Sequence, residues 1–392
     1  MTGTEYATAR AEIGLAMLED FERNRVDSFF KKITGNLAVG DPVSSLVITH
    51  LLPERPSFLR AVGRVSDLRA VLPKPKSVDP SAHKTVTALF PCDPLNRDQL
   101  SDAETSLAYL ESRAAGERLV LIDIGGYFAP SLASLCASFS GELVGVIEDT
   151  ENGLRRYLDL EKLPCPVYSV ARSPLKSPED YLVGQSIVFS AEALIRSRGD
   201  VLPGRPACVI GFGRLGSSIA RMLHTRNMHV TVYDDDPIQR AHALAHGFQT
   251  AHTRADAIRG AGIVVCATGN LALREDDFAR LANGAYIVSV TSSDDELELA
   301  VLDEMYHREI VVPHITRYAT TGHYFYVLND GNAVNFLHGA SVGAFIFLVQ
   351  AEILAALSEL ARQPHETGLH EVSADIRRLI AATWLTYFNG RP

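Results

Sequence analysis

The sequence lacks paired cysteines: Cys92, Cys136, Cys165, Cys208 and Cys266 are scattered, with no CxxC among them. An odd, dispersed set argues against a disulfide framework or a zinc knuckle and reads as reduced thiols in a cytoplasmic protein. It also lacks an excess of positive charge. Lys and Arg total 37 against 47 Asp and Glu, a formal net charge of −10, so wholesale binding to nucleic acid or an anionic membrane is not expected. Met1-Thr2-Gly3-Thr4-Glu5 has neither the basic nor the apolar run of a signal peptide. The most apolar stretch, 339–357, carries Gln350 and Glu352. It is expected as a helix buried between domains or subunits, not as a membrane span. No P-loop, no Ser-His-Asp arrangement and no internal repeat is present.

What is present is enough apolar residue for more than one core. At 392 residues the chain exceeds one ordinary domain of roughly 100–200 residues, and two are expected. Hydrophobic residues make up 46% and charged residues 21%, which excludes global disorder. Ile13, Met17, Leu18, Phe21, Phe29 and Phe30 have helical spacing. From Ser45 short apolar runs alternate with helical stretches. Strands are expected at Ser45–Thr49, Leu119–Asp123, Leu143–Ile147 and Val167–Val170, and helices at Asp98–Ala115 and Pro130–Phe139. The Pro-rich Leu72-Pro73-Lys74-Pro75-Lys76 reads as a loop. A second unit opens at Ala207, with strands at Ala207–Ile210, Val230–Tyr233, Ile263–Thr268 and Ala285–Val290. Asn329-Asp330-Gly331, between Tyr324–Leu328 and Ala333–Phe336, reads as a hairpin turn. The helices Tyr181–Arg198 and Gly339–Ala361 are placed to cross between domains. The expected fold class is α/β, two Rossmann-like doubly wound domains joined by long helices. The first spans 1–185, the second 186–340, and C-terminal helices over 341–392 return to the first domain or form a dimer interface.

Gly211-Phe212-Gly213-Arg214-Leu215-Gly216 is a complete GxGxxG, with an apolar strand before it and helical Ser217–Leu223 after it. Gly211 permits the tight turn, Gly213 lets backbone approach a pyrophosphate, and Gly216 lets helix and strand pack closely. The helix N-terminus then faces phosphate charge. About twenty residues on, a second strand ends at Asp234, where a carboxylate accepts hydrogen bonds from a ribose diol. Asp234-Asp235-Asp236 would repel a 2′-phosphate and no Arg stands beside it in sequence, so NAD is preferred over NADP.

Outside this motif the signals are weaker. His50 and Glu54 follow the first expected strand, where His50 could act as general acid, general base or hydroxyl clamp. Asp123, at a strand end before Gly125-Gly126, reads equally as a base or a turn carboxylate. His242 and His246 are four apart on one helix face, a spacing metals use, but no carboxylate motif joins them, so a solvated face is expected and no metal. Asp294-Asp295-Glu296 reads as a helix cap, and Cys208 and Cys266 as inert core thiols.

In this order and spacing the motifs resemble the S-adenosylhomocysteine hydrolase family. The carrying residues are Gly211–Gly216, Asp234-Asp235-Asp236-Pro237-Ile238, Ala267-Thr268-Gly269-Asn270, Ile287-Val288-Ser289-Val290, Pro313–Tyr318 and Asp330–Asn335. In the first domain, His50 with Glu54 is similar to the family's His-Met-Thr-Val-Glu segment. Leu121–Gly126 is similar to its Asp-Asp-Gly-Gly loop, Glu148-Asp149-Thr150 to its Glu-Glu-Thr, and Gly184-Gln185-Ser186 to the start of its interdomain helix. The resemblance implies an NAD-dependent enzyme that transiently oxidises the 3′-hydroxyl of an adenine nucleoside. A base removes the acidified C4′ proton, the 5′ substituent leaves, and the ketone is reduced again. It implies catalytic roles for His50, Lys176, Asp180, Asp123 and His338, and substrate contacts from Glu54, Asp149 and Arg172. NAD contacts fall to Gly211, Gly213, Arg214, Leu215, Gly216, Asp234, Thr268, Gly269, Asn270, Asn335 and Thr150.

The departures are as specific as the matches. Ile124 stands where the family has a proton-transfer aspartate, and an isoleucine moves no proton. Thr291-Ser292-Ser293-Asp294 replaces Gly-His-Phe-Asp, and Ser341-Val342-Gly343-Ala344 replaces Gly-His-Pro-Ser, with His338 near by in sequence. In 172–180, Lys176 and Asp180 stand in for the family's Lys and Asp, with Arg172 aligning about as well as Lys176. The family's C-terminal Lys and Tyr tail has no counterpart in a chain that ends Tyr387–Pro392. A divergent member acting on another nucleoside is expected, by dehydration, hydrolysis or epimerisation, as a cytoplasmic homodimer or larger oligomer. A net NAD-dependent dehydrogenase and an NAD-binding regulator without activity are the alternatives.

Overall fold

The computed structural model describes residues 3–37, 40–291, 296–339 and 342–389. Ser292, Ser293, Asp294, Asp295 and Ser341, and the side chains of Ile13, Met17 and Leu18, lie outside the described residues. Contacts divide the chain into two compact units, residues 1–176 with 344–392, and residues 177–343.

The first unit holds strands β1 (Ser44–Leu51), β2 (Asp67–Val78), β3 (Arg118–Asp123), β4 (Glu142–Glu148) and β5 (Pro166–Ser169), joined by the late β14 (Gly368–His370). Their order is β14-β5-β4-β3-β1-β2, every pair parallel. Side chains alternate between the two faces, as the two-residue strand period requires. Leu46, Ile48, Leu119, Leu121 and Val146 enter one core, while Val47, Val120, Ile122 and Ile147 enter the other.

The Pro-rich stretch read as a loop is part of β2, and its place in the sheet explains why. Proline cannot donate to a ladder, so a strand carrying Pro73 and Pro75 belongs at an edge, and β2 is an edge strand. Its pairing with β1 is interrupted there. Pro73 stands opposite Thr49 and Val78 opposite Leu51, so residues 74–77 all bulge out against His50 alone.

The apolar stretch near the C-terminus forms the helix Ile346–Arg362, buried along nearly its whole length in the first unit's core. Among the described residues, Gly343–Arg362 is the one helix long and apolar enough to cross a membrane. Phe29 of the N-terminal helix Gly3–Asn36 packs against Phe347 at 6.4 Å and against Phe388, on the helix Ala374–Phe388, at 5.3 Å. Glu352 is fully buried in this core, where the Ser173 hydroxyl donates to it at 2.5 Å and Arg377 Nε at 2.6 Å.

The second unit holds β6 (Pro206–Ile210), β7 (His229–Tyr233), β8 (Gln249–Thr250), β9 (Ile263–Cys266), β10 (Ala285–Ser289), β11 (His307–Val312), β12 (Ile315–Thr320) and β13 (His323–Leu328). Their order is β11-β12-β13-β10-β9-β6-β7-β8. The strands from β6 to β10 are parallel, and β13 pairs parallel to β10. The expected hairpin around Asn329-Asp330-Gly331 is not there. The hairpin is β12–β13, turning at Gly322 with φ +82°, while Asn329–Gly331 and Val334–His338 are single turns of tight helix. Asn-Asp-Gly supplies the left-handed residues of a turn, and Asn329 and Asp330 both have positive φ, but no strand follows to close a hairpin.

The buried Glu352 makes a test of the first core. Arg377→Ala leaves that carboxylate without its cation and is expected to cost about 3–5 kcal/mol in urea unfolding. A loss below about 1 kcal/mol would show that the pair carries little of the core's stability.

Candidate active site and cofactor site

In the second unit the GxGxxG links β6 to the helix Arg214–His224. Gly211 has φ +93°, and a Cβ there would fall 2.5 Å from the Ala267 carbonyl oxygen. A Cβ on Gly216 would fall 1.9 Å from the Gly211 carbonyl oxygen, so helix and strand touch backbone to backbone. Gly213 differs: no atom lies within 4 Å of where its Cβ would be. Two glycines are therefore required by the fold, and the third keeps space open at the helix N-terminus.

Asp234 ends β7. Its carboxylate accepts from the Phe212 amide at 2.7 Å and the Asp236 amide at 2.9 Å, tying the acidic strand end to the glycine turn. The sequence placed no Arg beside it, but Arg240 folds back and donates to the Asp234 carbonyl at 2.7 Å. Thr268, Gly269 and Asn270 form the loop after β9. The Thr268 hydroxyl bonds the Asn270 backbone, and the Gly269 amide donates to Glu296 at 2.8 Å. Glu296 was read as a helix cap. It is instead a fully buried carboxylate holding this loop, and burial raises its pKa to about 7. No local pattern distinguishes it from its exposed kind.

Asn335 is buried, and its Oδ1 has no hydrogen-bond partner. Arg214 and Asp180 pair with each other at 3.3 Å. Leu215 is half-buried, its carbonyl against Gly184 of the helix Ser177–Ser197. His338 packs edge-on to Phe189 at 5.7 Å. The open flank of Gly213, the two-glycine turn and the orphaned amide oxygen of Asn335 fit a dinucleotide.

In the first unit the β2 bulge brings two side chains to His50. Ser77 Oγ lies 2.5 Å from Nδ1, and Lys74 Nζ lies 3.5 Å from Nε2. Burial, then the charges of Lys74, Arg55 and Lys176, holds the His50 pKa well below its usual value. The ring is neutral at pH 7 and accepts at Nε2, so Nδ1 carries the proton toward Ser77. Arg55 is buried and pairs with Glu54 at 3.4 Å. Neither Lys74 nor Ser77 was singled out from sequence, because only the interrupted ladder brings them to His50.

Asp123 is fully buried and accepts from the Tyr127 amide at 2.9 Å, the Phe128 amide at 2.8 Å and the Tyr157 hydroxyl at 2.5 Å. These contacts match the turn-carboxylate reading of Asp123 and engage three of its roughly four acceptor positions. Glu148 lies beside it, accepting from the Gly125 amide at 2.9 Å and from the Thr150 amide and hydroxyl. Burial, then the charges of Asp123 and Asp149, raises its pKa to about 8. Thr150 also caps the helix Glu151–Leu158 through the Gly153 amide. Asp149 is buried at the end of β4, and Arg172 forms a two-pronged pair with Glu151 at the surface. Ile124 is buried in the first core.

Residues 181–342 match the family model of the S-adenosyl-L-homocysteine hydrolase NAD binding domain. Adenosylhomocysteinase of Thermotoga maritima is 31% identical over 205 residues, 50% of this chain and 50% of that protein. The chain thus spans about half the length of the curated relative it matches. Among solved structures, phosphoglycerate oxidoreductase of Vibrio cholerae O395 is similar at 14% identity and TM-score 0.42, covering 79% of this chain and 98% of its own. Pyruvate reductase of Chlamydomonas reinhardtii is similar at 13% and 0.43, covering 84% and 99%. The second unit is an NAD-binding Rossmann domain. Over that domain the chain is similar to the S-adenosyl-L-homocysteine hydrolase family.

Gly213→Ala separates cofactor binding from folding. Stability is expected to change by less than about 1 kcal/mol, while NAD affinity measured by calorimetry falls at least about tenfold. Unchanged affinity would remove Gly213 from the site. Glu148 predicts a pH effect. Its folded pKa of about 8 exceeds the ordinary 4.5, so the folded state holds the extra proton and wild-type stability falls as pH rises between those values. Glu148→Gln mimics the protonated form, so its stability relative to wild type should rise from about pH 5 to about pH 9. A pH-independent difference in urea midpoints would contradict the assignment.

Proposed function

We propose that this protein is an NAD-dependent enzyme acting on an adenine nucleoside. It transiently oxidises the 3′-hydroxyl, removes the C4′ proton, eliminates at C5′ by dehydration or hydrolysis, and returns the ketone to an alcohol. The observation carrying the proposal is the match of residues 181–342 to the family's NAD-binding domain, with an intact Gly211–Gly216 turn. That turn, Asp234, Thr268–Asn270 and Asn335 would hold NAD, which when bound would supply reversible hydride removal from the sugar.

The chain's own residues supply position and proton transfer. His50 is uncharged at neutral pH, with Ser77 at Nδ1 and Lys74 at Nε2, and Nε2 takes the proton in exchange for the Lys74 hydrogen bond. Glu54 is oriented by Arg55 and offers acceptors for sugar hydroxyls. Glu148 and Asp123 hold the 124–128 loop in shape by binding its amides. We place Lys176 beside His50 as the second cation of the reaction, since its charge reaches that ring. A cytoplasmic homodimer or larger oligomer is part of the same reading. The engagement of Asp123 and the apolar Ile124 favour, as a second reading, an NAD-binding regulator without turnover.

The test is NMR and mass spectrometry in D₂O with NAD-loaded protein and, separately, adenosine, S-adenosylhomocysteine and 5′- or 1′-modified adenine nucleosides. Deuterium at C4′, or a product lighter by one water, is expected, and His50→Ala should slow its appearance at least about a hundredfold. No exchange with any of them, NAD remaining bound, would contradict C4′ deprotonation and favour the regulator.

A further inference from the structure

Ion pairing is dense in this chain of net charge −10, yet Lys74 beside His50 and Arg97 against the Tyr127 ring have no such partner. No ion pair joins Lys74 or Arg97 to a carboxylate among the described residues. Both converge on one ring: the Arg97 guanidinium lies 4.5 Å and Lys74 Nζ 5.7 Å from the centroid of Tyr127. Arg55 adds a third, buried cation whose Nε has no hydrogen-bond partner, although its guanidinium also faces Glu54. Of the three N–H bonds of Lys74, one is directed to His50 Nε2, which leaves donors for a ligand.

The nearby carboxylates make no ion pair with these cations, although the charge of Lys74 is felt at Asp123. Asp123 and Glu148 face the amides of the 125–128 loop, Asp149 is buried with them, and the Gly125 amide is turned to Glu148. On the Cβ side of the same glycine, a side-chain carbon would fall 3.2 Å from Lys74 Nζ. The loop therefore has an acidic side, closed by its own N–H groups, and a basic side with Lys74.

We propose that Lys74 and Arg97, with Tyr127 between them, form a binding site for a phosphate monoester at C5′ of the substrate. The inference rests on the nucleoside reading above. If His50 takes the C4′ proton, cations beside its ring lie next to C5′, so the 5′ substituent is the anion they meet. A phosphate is also a competent leaving group. In the 3′-ketone the C4′ proton passes to His50 Nε2, its electron pair becomes the C4′–C5′ double bond, and the C5′–O pair departs on phosphate. Lys74 balances the released charge. Such a substrate places the enzyme after a reaction that phosphorylates a nucleoside or builds a nucleotide.

Calorimetry on the full NAD-loaded chain, with adenosine 5′-monophosphate, adenosine and inorganic phosphate, tests this. The monophosphate should bind at least about tenfold tighter than adenosine. Lys74→Met and the surface variant Arg97→Met should each remove most of that advantage, read as the ratio of the adenosine and monophosphate Kd values of the same variant, and inorganic phosphate should compete with the monophosphate. Equal affinity for the two nucleosides, or a preference surviving both substitutions, would overturn the site while the nucleoside reading stands. If neither nucleoside binds, the nucleoside reading fails. Phosphate alone then decides the site: binding lost in Lys74→Met supports it, and no binding to wild type overturns it.

Discussion

Loops at the carboxyl ends of parallel strands carry backbone N–H groups that the sheet does not satisfy, and in both units of this protein carboxylates, most of them buried, accept from them. Asp123 takes the amides of Tyr127 and Phe128, Glu148 those of Gly125 and Thr150, Asp234 those of Phe212 and Asp236, and Glu296 that of Gly269. An amide buried without an acceptor costs far more than a made hydrogen bond contributes. The same carboxylates resist ionising where burial is deep, and Glu148 and Glu296 are pushed up to about 8 and about 7. Loop geometry, and with it the candidate site, depends on these pairings.

The carboxylates also sort the site into two kinds of residue. Asp123 and Glu148 lie on the inner side of their loop and shape it. His50, Lys74 and Ser77 lie where the β2 ladder breaks, and there the lysine and the hydroxyl meet the two ring nitrogens. Ile124, where the resemblance would put an aspartate, belongs to the apolar core, while β2 brings a lysine to His50.

Much of the fold was legible because period and composition encode it. The parallel sheet of the first unit, the parallel strands β6 to β10 of the second, the glycine turn and the acidic end of β7 follow from alternating apolar runs and a motif of six residues. What was not legible depends on partners distant in sequence. Pro73 and Pro75 suggested a loop, and only an edge position makes them a strand. Asn329-Asp330-Gly331 suggested a hairpin, and only the absence of a following strand makes it a helical turn. Lys74, Ser77 and Glu296 carry no local signature, since an interrupted ladder and deep burial define their roles. Asp180 and Arg214, assigned separately to catalysis and cofactor, pair with each other.

The central claim is that the second unit's cofactor is used and restored within one turnover. Rapid mixing of NAD-loaded protein with nucleoside, followed by nicotinamide absorbance, tests it most directly, with a 3′-deoxy nucleoside as control. The account predicts a transient rise of reduced nicotinamide that decays without free NADH appearing, and no rise with the control. Stoichiometric release of NADH, or an equal signal from the 3′-deoxy compound, would contradict it.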